Sequence, residues 1–95
     1  MGDYISNLEY YRTQLTTLPL KDDVEKLIAW EAYNISGLLL SKNFGTIQSE
    51  TGLFPIMKQF MDILYNLCSN KTNQRLFDAI TYIREIIFTG GKNVD

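Results

Sequence analysis

Leu53-Phe54-Pro55-Ile56-Met57-Lys58-Gln59-Phe60-Met61-Asp62-Ile63-Leu64-Tyr65-Asn66-Leu67-Cys68-Ser69 is the stretch whose reading decides the fold. On a helical wheel Leu53, Phe54, Ile56, Met57, Phe60, Met61, Ile63, Leu64, Leu67 and Cys68 cover about half the circumference, and Lys58, Gln59, Asp62, Asn66 and Ser69 hold the other half. Pro55 fits the first turn, where its missing N–H costs least, so the spacing predicts a helix over 53–69. An apolar arc this wide is enough to touch two other helices, which points to a bundle.

Downstream, Asn70 to Asn73 read as a short polar turn with several cap candidates. A helix over about 72–89 follows, with Leu76, Phe77, Ala79, Ile80, Ile83, Ile86, Ile87 and Phe88 as a second wide arc, and Gly90-Gly91 ends it. The run Ile80 to Phe88 is rich in β-branched and aromatic residues, but its 3.6-residue spacing favours helix over strand. A short tail, 90–95, completes the chain.

Upstream lies the one long connection, about 43–52, with Phe44 and Ile47 as its apolar anchors. Before it, a helix over about 21–42 opens with Asp22, Asp23 and Glu25 in its first turn, where carboxylates complement the helix dipole. The first helix, about 3–17, aligns Tyr4, Leu8, Tyr11, Leu15 and Leu18 on one face, with Asp3 as N-cap and Pro19 forbidding continuation. The expected fold is therefore all-α: residues 1–95 as one helical domain, a small four-helix antiparallel bundle with short connections inside each hairpin.

Composition narrows the function classes. Hydrophobic residues are 45% of the chain and charged residues 21%, the profile of a globular domain rather than a disordered one. The net charge of −2 comes from scattered charges with no basic stripe, so nucleic-acid binding is not expected. No apolar run approaches the roughly 20 residues needed to span a bilayer, and no membrane partner is expected. With one cysteine, Cys68, no internal disulfide forms, and Met1-Gly2-Asp3-Tyr4 does not read as a signal peptide, so the expected setting is cytoplasmic.

Chemistry finds little purchase. There is no histidine, which removes the commonest general base and the commonest metal ligand. Asp22-Asp23-Val24-Glu25 lacks the alternating oxygen ligands and central glycine of a calcium loop. Neither Gly45 with Gly52 nor Gly90-Gly91 matches a phosphate-binding spacing. Cys68 lies at the edge of an apolar arc with no identifiable base and reads as a buried structural thiol. The expectation is a non-enzyme with no catalytic residues, metal or cofactor.

Two features of the second helix stand out. Glu31 falls in the middle of the stripe formed by Val24, Leu27, Ile28, Ile35 and Leu38, where a carboxylate is costly unless paired, hydrogen-bonded or protonated. Roughly opposite, Trp30, Tyr33, Gly37 and Leu40 combine aromatic, small and aliphatic groups into a shallow groove suited to another helix. That face is core if helix 1 covers it and a partner surface if not. In size and helical class the chain is similar to small bacterial immunity proteins and phage-encoded inhibitors, with no diagnostic residue motif in common.

The leading expectation is a non-catalytic protein-binding module that captures a protein partner, self-associates, or both, as an inhibitor, immunity factor, antitoxin or assembly adaptor does. One alternative is a small-ligand-binding bundle with a pocket around Glu31, made adaptable by Met57 and Met61. Another is a DNA-binding regulator, for which no helix presents several Arg, Lys, Asn or Gln residues on one face.

Overall fold

The computed structural model describes residues 4–41 and 53–89. The expected N-cap Asp3, Lys42, the loop at 43–52 and the tail at 90–95 lie outside the described residues. Among those described, the chain forms four helices and no strand: α1 (Tyr4–Thr17), α2 (Asp23–Ser41), α3 (Leu53–Ser69) and α4 (Gln74–Thr89). The expected four-helix bundle is the fold observed, and α3 has the bounds the sequence predicts. None of the helices is long and apolar enough to cross a membrane.

Local chemistry sets the ends. Leu18 N–H donates to the Gln14 carbonyl at 3.0 Å as the last helical bond of α1, and Pro19 stops the next. α2 begins two residues later than predicted because Asp22 is its cap: the Glu25 N–H donates to Asp22 Oδ1 at 2.9 Å. α4 also begins two residues later than predicted, since Asn73 caps it, accepting the Leu76 N–H on Oδ1 at 3.2 Å.

Successive helices reverse direction. α1 packs on α2 and α3 on α4; α1 also packs on α4, and α2 on both α3 and α4. α2 and α4 thus form the short diagonal, with α1 and α3 at the outer corners. That position explains the wide arc of α4, in which Leu76, Ala79, Ile80, Ile83, Ile86 and Ile87 are all buried. Leu8 and Leu15 from α1, Ile28, Ala32, Ile35 and Leu39 from α2, and Met57, Met61, Leu64 and Cys68 from α3 close the same core. Met57 and Met61 are core filling rather than pocket lining.

The inward face of α2 corrects the sequence reading. Its buried row is Glu25, Ile28, Ala29, Ala32, Ile35, Ser36 and Leu39. Val24 and Leu27, expected inside, are 39% and 52% exposed. The helix is turned by a little under a quarter-turn from the expected orientation. Small residues cause this: Ala29, Ala32 and Ser36 admit neighbouring helices closely, and the Ser36 hydroxyl donates to the Tyr33 carbonyl at 2.8 Å, so it costs little to bury.

Candidate functional site

The turned α2 has two flanks, one toward α1 and one toward α3. On the α1 flank, Arg12 reaches across from α1. Its guanidinium lies 3.7 Å from the Tyr33 ring centroid, and its Nε donates to the Tyr33 carbonyl at 3.2 Å. Gly37 makes room for it: a Cβ at that position would sit 2.8 Å from Arg12 Nη2.

The four residues expected as a partner surface therefore separate. Gly37 lies under Arg12, and Tyr33 and Leu40 are half-buried walls packed against the core. Trp30 alone stands out, 63% exposed and stacked on Tyr33 at 6.4 Å between ring centroids. Between α1 and α2 run a polar hollow of about 440 Å³ lined by Glu9, Arg12, Thr13 and Tyr33, and an apolar trough of about 350 Å³ lined by Leu15, Leu20, Ala29, Trp30 and Tyr33 with Lys26 at its lip.

Glu31 lies on the other flank and lines neither hollow. It is half-buried, and no hydrogen bond or ion pair among the described residues involves it. Helical spacing groups it with Val24, Leu27 and Leu38, facing the row Ile56, Phe60, Ile63 and Leu67 of α3. That assignment on α3 follows from the contacts of its opposite flank: Asp62 accepts from Arg84 of α4 at 3.0 Å, Arg84 lies over Tyr65 at 4.6 Å, and Tyr65 packs on Phe77. The Ile56 to Leu67 row therefore points away from α4, toward α2.

This second flank is bare. Ile56 is 62% exposed, Ile63 53% and Leu67 38%, beside Val24 and Leu27 on α2. The sequence reading places Val24 and Leu27 in one apolar stripe of the second helix and Ile56, Ile63 and Leu67 in an α3 arc wide enough to touch two helices. The available signal was the width of the α3 arc: a half-circumference is more than its two packing partners consume.

The pole where α1 ends and α2 and α4 begin holds a polar cluster that sequence reasoning took for a solvated helix start. Glu25 is only 1% exposed. Its Oε1 accepts the Lys21 N–H at 2.8 Å and Asn73 Nδ2 at 3.2 Å, and Asn73 Nδ2 also donates to the Pro19 carbonyl at 2.8 Å. At the rim, Lys71 Nζ pairs with Asp22 Oδ2 at 2.8 Å, which holds the Asp22 carboxyl below its ordinary range. Beneath it, burial and then the charge of Glu25 push the Cys68 thiol up to about 11, so it stays protonated and weakly nucleophilic near neutral pH. These groups are engaged with one another, which makes the cluster a knot between helix ends.

Among the described residues, no three His, Cys, Asp or Glu side chains converge in a way that could hold a metal ion. Comparison with known proteins finds no matching protein family, no matching curated protein and no matching solved structure.

Proposed function

We propose that the chain is a non-catalytic protein-binding module of the inhibitor or adaptor kind, acting in the cytoplasm through the α2/α3 face. The observation that carries this reading is the contiguous apolar surface of Val24, Leu27, Ile56, Ile63 and Leu67. Monomeric soluble proteins rarely leave such a patch uncovered, and a two-helix groove is a common seat for a partner helix. Among the described residues, Glu31 is the one charged side chain in the two rows, and they carry no cation of the kind a nucleic acid requires. A free, buried cysteine suits a reducing compartment.

The test is capture from a cell lysate with two baits, the wild type and Leu27→Asp with Ile63→Asp. Proteins retained by the first and released by the second, with equal helicity of both baits, support the reading. Identical captures from both would sink it.

A second reading has its own observation. The apolar trough beside Trp30 is within the volume range of small-molecule sites, about 300–1,000 Å³, and carries one cation, Lys26, at its lip. A small apolar anion is the chemistry it fits. A thermal-shift screen in which hits stabilise the wild type but not Trp30→Ala supports this; hits indifferent to Trp30 argue against it.

A further inference from the structure

We propose that the outer face of α4 carries a site for the head group of an organic ammonium ion, one that keeps at least one N–H. It lies apart from the α2/α3 face and stands or falls independently of the protein-binding reading.

Helical spacing places the site. The buried row of α4 centres on Ile80, Ile83 and Ile87, and Thr81 and Glu85 lie on the opposite side of the helix. Phe77 stands toward α3, where it packs on Tyr65 with ring centroids 5.3 Å apart. Tyr82 stands toward α1, stacked on Tyr11 at 4.9 Å, and Tyr10 meets Tyr11 edge-on at 5.1 Å. A hollow of about 260 Å³ is lined by these walls, Tyr11, Phe77 and Tyr82, together with Thr81 and the carboxylates of Asp78 and Glu85. Its volume is below the roughly 300 Å³ at which pockets for whole drug-sized ligands begin, so it suits a head group.

Charge selects the class of occupant. Asp78 and Glu85 are exposed, and neither forms an ion pair among the described residues. Gln74 Nε2 donates to Asp78 Oδ1 at 2.7 Å, but a neutral amide leaves the negative charge in place. No lysine or arginine lines the hollow. Aromatic rings attract a cation over their faces, and the two carboxylates add full charges of the same preference. An anion is repelled, and a neutral apolar group gains nothing from the carboxylates.

The Thr81 hydroxyl is an independent observation. It belongs to the outward side of the helix, yet Oγ1 is shut off from solvent and has no hydrogen-bond partner among the described residues. A buried polar atom left in this way carries its desolvation cost unrepaid. Threonine populates more than one χ1 rotamer in a helix, so the oxygen can swing to meet an N–H held between the rings. A quaternary ammonium has no N–H to offer, which sets the preference within the class.

Two-dimensional NMR titration of the whole chain with butylammonium, butyltrimethylammonium and butanol tests the site. Butylammonium is expected to saturate with a Kd on the order of 1 mM, the strength of a few ring and charge contacts, and to shift resonances of Phe77, Thr81 and Tyr82. Butyltrimethylammonium binds more weakly, and butanol does not saturate. Tyr82→Leu weakens butylammonium about 5-fold. Glu85→Gln, an exposed change that spares the fold, weakens it about 2- to 5-fold. Thr81→Val weakens butylammonium at least ~3-fold and leaves butyltrimethylammonium within about 2-fold, with helicity retained.

No saturable shift by about 50 mM butylammonium overturns the proposal. Butanol binding as tightly as butylammonium also overturns it, because the hollow is then a plain apolar crevice. Equal losses of both cations on Thr81→Val overturn the role of the N–H. A capped alanine-lysine-alanine peptide separates the two sources of such a head group: tighter binding than butylammonium assigns it to a lysine of a protein, and equal or weaker binding assigns it to a free amine.

Discussion

The two flanks of α2 start from similar material and end differently. Toward α1, Tyr33 and Gly37 are covered by a side chain of the same molecule, the Arg12 guanidinium resting on Tyr33 at 3.7 Å. Toward α3, Val24, Leu27, Ile63 and Leu67 each stay at least 38% exposed. A long, amphipathic cation closes the first flank by laying its apolar stem over an aromatic ring and its head against a carbonyl. The second has no such strap, and only another apolar surface can remove it from water. The cover supplied from within, not the apolar content of a face, decides whether it is core or interface.

The sharpest way to break this comparison is to place the same charge on adjacent residues. Ile28→Asp, at a site with no exposure, is expected to cost at least ~4 kcal/mol and leave the chain unfolded by circular dichroism. Leu27→Asp, one residue earlier and half exposed, is expected to shift stability by less than ~1 kcal/mol. Equal losses would return Leu27 to the core and undo the assignment of the bare flank.

Next in size is the knot that fixes how α2 is turned. Asn73→Ala removes the α4 cap and a partner of the buried Glu25 carboxylate, with an expected loss of about 1–3 kcal/mol in urea unfolding. A loss within error would mean that Glu25 does not hold α2 in its orientation. Smaller again is Arg12→Ala, expected at about 1–2 kcal/mol from the lost ring contact and hydrogen bond. It should also make the α1 flank resemble the bare one, so acrylamide quenching of Trp30 and Tyr33 emission should rise. Unchanged quenching would mean that the strap does not shield the rings.

The smallest effect is electrostatic. The Asp22 carboxyl is lowered from 3.8 by the Lys71 hydrogen bond, and a depressed acid contributes stability above its unfolded value and loses it as pH falls through the folded one. Acid unfolding monitored below about pH 4 should therefore flatten in Lys71→Gln, with little change near neutrality. Both groups are solvent-exposed, and raised salt should mimic the substitution.

Helix number, order and most boundaries were legible because periodicity and punctuation agreed: Pro19 and Pro55 mark ends, and the α3 and α4 arcs are wide and continuous. The orientation of α2 was not. Counting large aliphatic residues drew the stripe through Val24, Leu27 and Leu38, whereas close packing selected the small residues Ala29, Ala32 and Ser36. Glu25 was hidden for a related reason. An acidic residue in a first helical turn reads as a solvated dipole partner, and only the tertiary approach of Asn73 and the Lys21 N–H shows that it is buried and bonded. Whether the Trp30 face is core or surface was open in the sequence, because what divides it is the reach of Arg12 to Tyr33 and Gly37, a contact spanning 21 residues of sequence that local pattern does not encode.

The Asn73 side chain has a further consequence, for the order of folding. It caps the start of α4 with one end and holds the Pro19 carbonyl, 54 residues earlier in the chain, with the other. The last helix therefore gains its complete cap only when the α1–α2 hairpin has docked. The two hairpins, each held by local contacts, are thereby coupled into a single unfolding unit, and amides at the starts of α2 and α4 should exchange with solvent together rather than fraying one at a time.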